Sequence, residues 1–304
     1  MRPAAALTVL SCVLLAGCGG SGSTPATVLG GGKTLEQLWR APGDDVAVVS
    51  GTQTYQPGRE RVSFLVVDTD GRPVVLPTAH VWVSEGLHRP PFLETEAKVE
   101  RIGVPGGAVA DATHIYVAHF RVRKPGTYWF LAEPEGGPKQ VQALGNVVVV
   151  KEDSPLDVGD RAPASATPTL TSTHGDLSVL TTRTPPDTRL LRYSIAGSLE
   201  AHVPFVVTFA TPKFCSSRTC GPMVDVVDDV ANRLEGAGVR FIHVEVYEDN
   251  DPAKGYNRWM KQWGLQTEPW TYLVDRSGAV VARFEGSVSV EELEAAVRAK
   301  LMSG

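Results

Sequence analysis

The chain has 304 residues, 42% hydrophobic and 21% charged, with a formal charge of −5, and this length exceeds one ordinary domain and predicts two. Basic and acidic residues are interspersed, so no basic stripe is available to neutralise a phosphate backbone, which argues against nucleic acid as a partner. Beyond the N-terminal segment no apolar run approaches the roughly 20 residues of a membrane-spanning helix.

Arg2 is followed by an apolar stretch, residues 4–15, that is too short to span a membrane and ends in small residues. That is the make-up of a secretory signal. The stretch closes as Leu15-Ala16-Gly17-Cys18, which resembles the lipobox of bacterial lipoproteins. The resemblance implies loss of residues 1–17, acylation of Cys18 as the first mature residue, and anchoring to the cell membrane by the lipid, facing the extracytoplasmic side. Cys12 would leave with the signal, so of the 4 cysteines only Cys215 and Cys220 would keep free side chains. Residues 18–44 begin Gly19-Gly20-Ser21-Gly22-Ser23-Thr24-Pro25, the composition of a flexible tether.

Residues 45–150 carry short β-rich runs at 46–49, 62–67, 79–83, 115–122, 128–132 and 147–150, separated by turn residues. This spacing predicts an antiparallel sandwich without helices. Asp70-Gly71 is a hairpin signal, and Lys124-Pro125-Gly126-Thr127-Tyr128 reads as a turn into a closing strand. The pattern resembles the immunoglobulin-like sandwiches of extracytoplasmic bacterial proteins. His80, His88, His114 and His119 are scattered without metal-ligand spacing and read as isolated polar residues, so no metal site is expected. Residues 151–176, rich in Pro, Ala, Ser and Thr, read as a linker.

In residues 177–304 the run Phe205-Val206-Val207-Thr208-Phe209-Ala210 is apolar throughout, as expected of a strand buried on both faces at a sheet centre. Met223, Val226, Val227, Val230, Ala231 and Leu234 recur at helical spacing behind Pro222. A strand over 239–247 follows, then a helix presenting Tyr256, Trp259, Met260 and Trp263 on one face. A hairpin is expected over 270–274 and 279–284, and the box Ser289-Val290-Glu291-Glu292 starts the last helix. With a short strand near Leu177 and a helix over 194–201, the order is βαβαββα.

That order, with Cys215-Ser216-Ser217-Arg218-Thr219-Cys220 between the central strand and its helix, resembles the thioredoxin fold. Gly264-Leu265-Gln266-Thr267-Glu268-Pro269-Trp270 carries the closest likeness, and Gly159-Asp160-Arg161-Ala162-Pro163 resembles the lead-in to thioredoxin-like domains of membrane-anchored thiol-disulfide proteins. The resemblance implies a cis bond before Pro269, which would face the cysteine pair and present a backbone edge to a partner chain. Two features depart from the family. Four residues separate the cysteines instead of two, and Thr208 stands where thioredoxins carry a buried acid. Residues five apart in a helix are about 7.5 Å apart along the axis, beyond the roughly 7 Å a disulfide spans, so Cys215 belongs to the preceding loop. A helix N-terminus favours a thiolate at Cys220, whereas Lys213 and Arg218 could favour either cysteine, so the attacking residue stays open.

The leading expectation is a lipid-anchored thiol-disulfide oxidoreductase acting on protein thiols or disulfides through Cys215, Cys220 and Pro269, with no cofactor. The alternative is a binding or scaffold lipoprotein in which the bond is structural. Closing so small a loop would contribute only roughly 2 kcal/mol, and a domain of this size can build its core without it. A copper chaperone is a third reading, but Thr267, Glu268 and Trp270 supply no histidine beside Pro269, and His243 lies on a strand beside Glu245.

Overall fold

The computed structural model describes residues 29–107, 112–137, 141–151, 155–214 and 222–302. Cys18, Cys215 and Cys220 lie outside the described residues. Within them, no helix is long and apolar enough to cross a membrane.

The N-terminal domain is one antiparallel sheet of seven strands: β1 (Val46–Ser50), β2 (Gly58–Asp68), β3 (Thr78–Ser84), β4 (Leu93–Arg101), β5 (His114–Val122), β6 (Gly126–Glu135) and β7 (Ala143–Val149). Their order is β1-β2-β5-β4-β3-β6-β7. The two edges approach each other, joined by parallel bridges from Asp44 to Val141 and from Tyr55 to Val149. One face of every strand turns inward, so Phe64, Val81, Ala97, Tyr116, Phe130 and Val147 share a single core, as alternating strands require. β2 and β5 bury their other face too, where Leu65, Val67, Ile115 and Val117 meet Ile102. In front of the sheet, inside the segment read as a tether, α1 (Leu35–Trp39) is capped by Thr34 and buries Leu35 completely.

Two local expectations change. The sequence signals no strand at β4, because Leu93-Glu94-Thr95-Glu96-Ala97-Lys98-Val99-Glu100-Arg101 is dominated by charge, yet its alternate residues face the core, with Ala97 wholly buried. Asp70-Gly71 does make a turn, with Gly71 at φ 77°, and the chain returns along β2 only as far as Val74, whose N–H bonds the Val66 carbonyl. Pro73 and Pro77 offer no N–H to extend that ladder, and β3 pairs with β4 and β6 instead.

The C-terminal domain is a four-stranded sheet, β8 (Phe205–Phe209), β9 (Arg240–Val244), β10 (Trp270–Val274) and β11 (Val280–Glu285), in the order β11-β10-β8-β9. β8 runs parallel to β9 and antiparallel to β10. Every residue of β8 is buried. On one face α3 (Met223–Arg233) and α5 (Val290–Leu301) pack over Val206 and Leu273. On the other, α2 (Ile195–Glu200) and α4 (Arg258–Gln262) supply Ile195 and Met260, and Trp263 follows at the end of α4, against Phe205, Val207 and Tyr272. The strand expected near Leu177 is a 3₁₀ turn, Leu177–Val179, capped by Asp176. The Thr182 N–H beyond it is taken by the Glu245 carboxylate, not by a strand backbone. β9 is therefore an edge of the sheet.

The two domains touch extensively. Residues 159–162 run along the outer edge of β11, where Gly159 N–H bonds Val280 O and Ala162 N–H bonds Gly278 O, each at 2.9 Å. Ser289 caps α5 as the sequence box predicts, accepting from Glu292 N–H at 3.0 Å. Glu292 turns toward the sheet domain and takes a two-pronged contact from Arg61, at 2.8 and 2.7 Å. The Ser289 hydroxyl donates to Glu100 of β4 at 2.7 Å.

Candidate functional site

β8 ends at Phe209, and its register with β10 pairs Phe209 with Trp270 and Thr208 with Thr271. Continuing that register sets Pro269 opposite Ala210, where the chain leaves the sheet toward Cys215. Pro269 is buried and the Glu268–Pro269 bond is cis. The chain re-enters the described residues at Pro222, the N-cap of α3, and Met223 through Val227 are buried in its first turns.

Three residues leading to Cys215 are each tied down by a side chain. The His243 ring, donating from Nε2, bonds the Ala210 carbonyl at 3.0 Å. Glu268 accepts the Thr211 N–H at 3.2 Å. The Thr182 hydroxyl accepts the Lys213 N–H at 3.2 Å and donates to Glu245 Oε1 at 2.8 Å, and that same oxygen takes the Thr182 N–H at 2.6 Å. Burial pushes the Glu268 carboxyl up to about 7, against the lowering effect of the Thr211 N–H and with help from the Glu245 charge. Glu268 thus titrates where a group that accepts and returns a proton at neutral pH needs to.

At the position where the family carries its acid, Thr208 is 0% exposed and hydroxyl bonded: Thr271 donates to it at 3.1 Å and it reaches the Trp270 carbonyl at 3.4 Å. Two carboxyls reach the cysteine approach, Glu268 directly at Thr211 and Glu245 through the Thr182 hydroxyl that holds Lys213. Glu268 adjoins Pro269 in the sequence. Thr182 carried no signal, since its contact joins it to Glu245 across a sequence separation of 63.

At the start of α3, Arg183 donates to Asp225 Oδ1 through Nε and Nη2, both at 2.8 Å. These residues line a cavity of about 860 Å³ together with Thr182, Lys213 and Gly107, the last from the β4–β5 loop of the sheet domain. Among the described residues no group of three or more His, Cys, Asp or Glu could hold a metal ion. His243 is buried with its ring engaged by Ala210.

A family model described as a thioredoxin-like domain matches residues 193–300. The C-terminal half carries a thioredoxin-like domain. No curated protein matches the chain. Among solved structures, an engineered protein is 12% identical with a TM-score of 0.23, covering 35% of this chain and 20% of its own. An endo-β-1,4-mannanase from Thermotoga petrophila is 15% identical with a TM-score of 0.23, covering 36% and 20%. The PKD domain of the human receptor SorCS2 is 18% identical with a TM-score of 0.22, covering 38% and 79%. The chain thus spans about a fifth of the first two, and likenesses this weak carry no functional argument. The thioredoxin-like domain rests on the family match and on its own four-stranded sheet, in which Pro269 leads into β10.

Proposed function

We propose that the chain is a thiol-disulfide oxidoreductase of the extracytoplasmic side, anchored through a lipid on Cys18, in which Cys215 and Cys220 exchange electrons with the thiols or disulfides of a partner protein. The observation that carries this reading is the convergence, at the end of β8, of the approach to Cys215 with Pro269 and with a carboxyl titrating near 7. In the reducing direction, the thiolate of one cysteine attacks a partner disulfide, forming a mixed disulfide and releasing one partner thiolate. The second cysteine then attacks the mixed disulfide, the Cys215–Cys220 bond forms, and the partner leaves as a dithiol carrying two electrons. A dithiol reductant resets the pair. The thioredoxin-like domain supports the reaction class, and the antiparallel sheet with its single core supports an immunoglobulin-like reading of the N-terminal domain.

Insulin reduction with dithiothreitol tests the proposal. Cys215→Ser and Cys220→Ser are each expected to lower the rate to that of dithiothreitol alone, and a rate retained by both variants refutes it. The neutral, hydroxyl-bonded Thr208 favours a second reading, a scaffold with a structural disulfide. On that reading insulin reduction by the wild type does not exceed the dithiothreitol background.

A further inference from the structure

The sheet domain reaches the Pro269 loop through one buried carboxylate. Glu285, at the end of β11, is 7% exposed. Its Oε2 accepts the backbone N–H groups of Gln53 at 3.0 Å and Thr54 at 2.8 Å, both in the β1–β2 loop of the sheet domain. Its Oε1 accepts the Thr267 hydroxyl at 2.8 Å. Thr267 in turn accepts the Trp270 indole N–H at 2.9 Å, so the chain of bonds straddles Pro269. Next in sequence, Gly286 donates its N–H to the Pro269 carbonyl at 2.9 Å. Gly286 sits at φ 76°, and a Cβ there would fall inside the contact shell of the Gly51 carbonyl oxygen. Sheet-domain backbone is thus packed against Glu285 and Gly286, the two residues that hold the loop carrying Pro269.

We infer that the sheet domain is a working part of the exchange site, with Glu285 as the positioning residue that fixes the Pro269 loop in the shape a partner polypeptide must meet. The inference rests on the exchange reading above and extends it to the N-terminal half. Glu285 touches no reacting atom. A carboxylate suits the place because all three of its partners are donors, and an ionised acceptor makes the stronger bonds. A small disulfide needs only access to a thiolate, whereas a protein disulfide must also lay its backbone against the loop. The brace therefore acts on binding of a protein partner, not on the chemistry of the cysteine pair.

The test uses the full chain in detergent micelles, with dithiothreitol as reductant and two substrates, insulin and oxidised glutathione. Glu285→Gln sets a donor where an acceptor is required at one end of the contact. Thr267→Val keeps the shape and removes the hydroxyl, and Thr267→Ser restores it. The expected result is a rise of about tenfold in KM for insulin in the first two variants, the worth of one hydrogen bond to a charged group. Oxidised glutathione turnover and the potential of the cysteine pair should stay at wild-type values, and Thr267→Ser should recover the insulin KM. An equal loss for both substrates, or no change for insulin, overturns the inference. If the wild type reduces neither substrate, the exchange reading fails and the brace is read by amide hydrogen exchange over 266–270 in the same variants. Exchange about tenfold faster there sustains it, and unchanged exchange overturns it.

Discussion

Glu100 offers a sharp test of how the domains are joined. Its carboxyl is pushed up to about 7 by burial first and then by the neighbouring Glu292 charge, with the Ser289 hydroxyl working in the other direction. The folded protein holds this proton more tightly than the unfolded chain, whose carboxyl stays near the ordinary 4.5. Wild-type stability therefore falls as pH rises from about 4.5 through about 7, and the loss is complete above that. At about 1.4 kcal/mol per tenfold change in proton affinity the full loss is about 3 kcal/mol, and the partial exposure of the site reduces it to roughly 1–2 kcal/mol. Glu100→Gln imitates the protonated form: its carbonyl can accept from Ser289 and its amide can donate to Glu292. At pH 8 the variant should be more stable than wild type by roughly 1–2 kcal/mol, a rise of about 2–8 °C in melting temperature. At pH 4 the two should melt together. The assay is thermal unfolding of the full chain followed by circular dichroism at both pH values. An equal gain at pH 4 and pH 8, or a loss at pH 8, refutes the reasoning.

Glu268→Gln should remove an ionisation near pH 7 from the pH profile of insulin reduction and leave that of the thiols in place; a profile that keeps the step assigns it elsewhere. Gly286→Ala meets both a left-handed backbone and the Gly51 carbonyl, and should cost at least about 2 kcal/mol in a urea titration. Trp263→Ala opens the core beside Phe209 and Tyr272 and removes the indole donor to Ser165. Its expected cost is about 3–5 kcal/mol by the same titration, and a cost under about 1 kcal/mol would contradict the packing described. Arg61→Met strands Glu292 and Glu100 without their shared cation and should destabilise the chain by roughly 3 kcal/mol at pH 8, with a smaller loss at pH 4.

Local pattern carried much of this architecture. β8 was legible because five successive buried residues need a continuous apolar run, and α3 and α5 because their apolar residues recur at helical spacing behind Pro222 and Ser289. β4 was not, since Glu94, Glu96 and Lys98 on its outer face mask the alternation around Ala97. The strand expected near Leu177 became a 3₁₀ turn because the Asp176 carboxylate takes the Ser178 N–H and Glu245, distant in sequence, takes the Thr182 N–H. Pro269 could be placed from its neighbours in sequence. The contacts that give it a setting could not, because Glu285 meets Gln53 across a separation of 232 and Arg61 meets Glu292 across 231. A motif read as local was also diverted, since Glu292 of the helix-start box serves Arg61 instead of its own helix.

The most direct test of the central claim is the midpoint reduction potential of the Cys215/Cys220 pair, measured by thiol trapping across glutathione and dithiothreitol buffers. A pair that exchanges with partner proteins should fall between about −270 and −120 mV. A potential well below about −300 mV would mark a structural bond and contradict the oxidoreductase account.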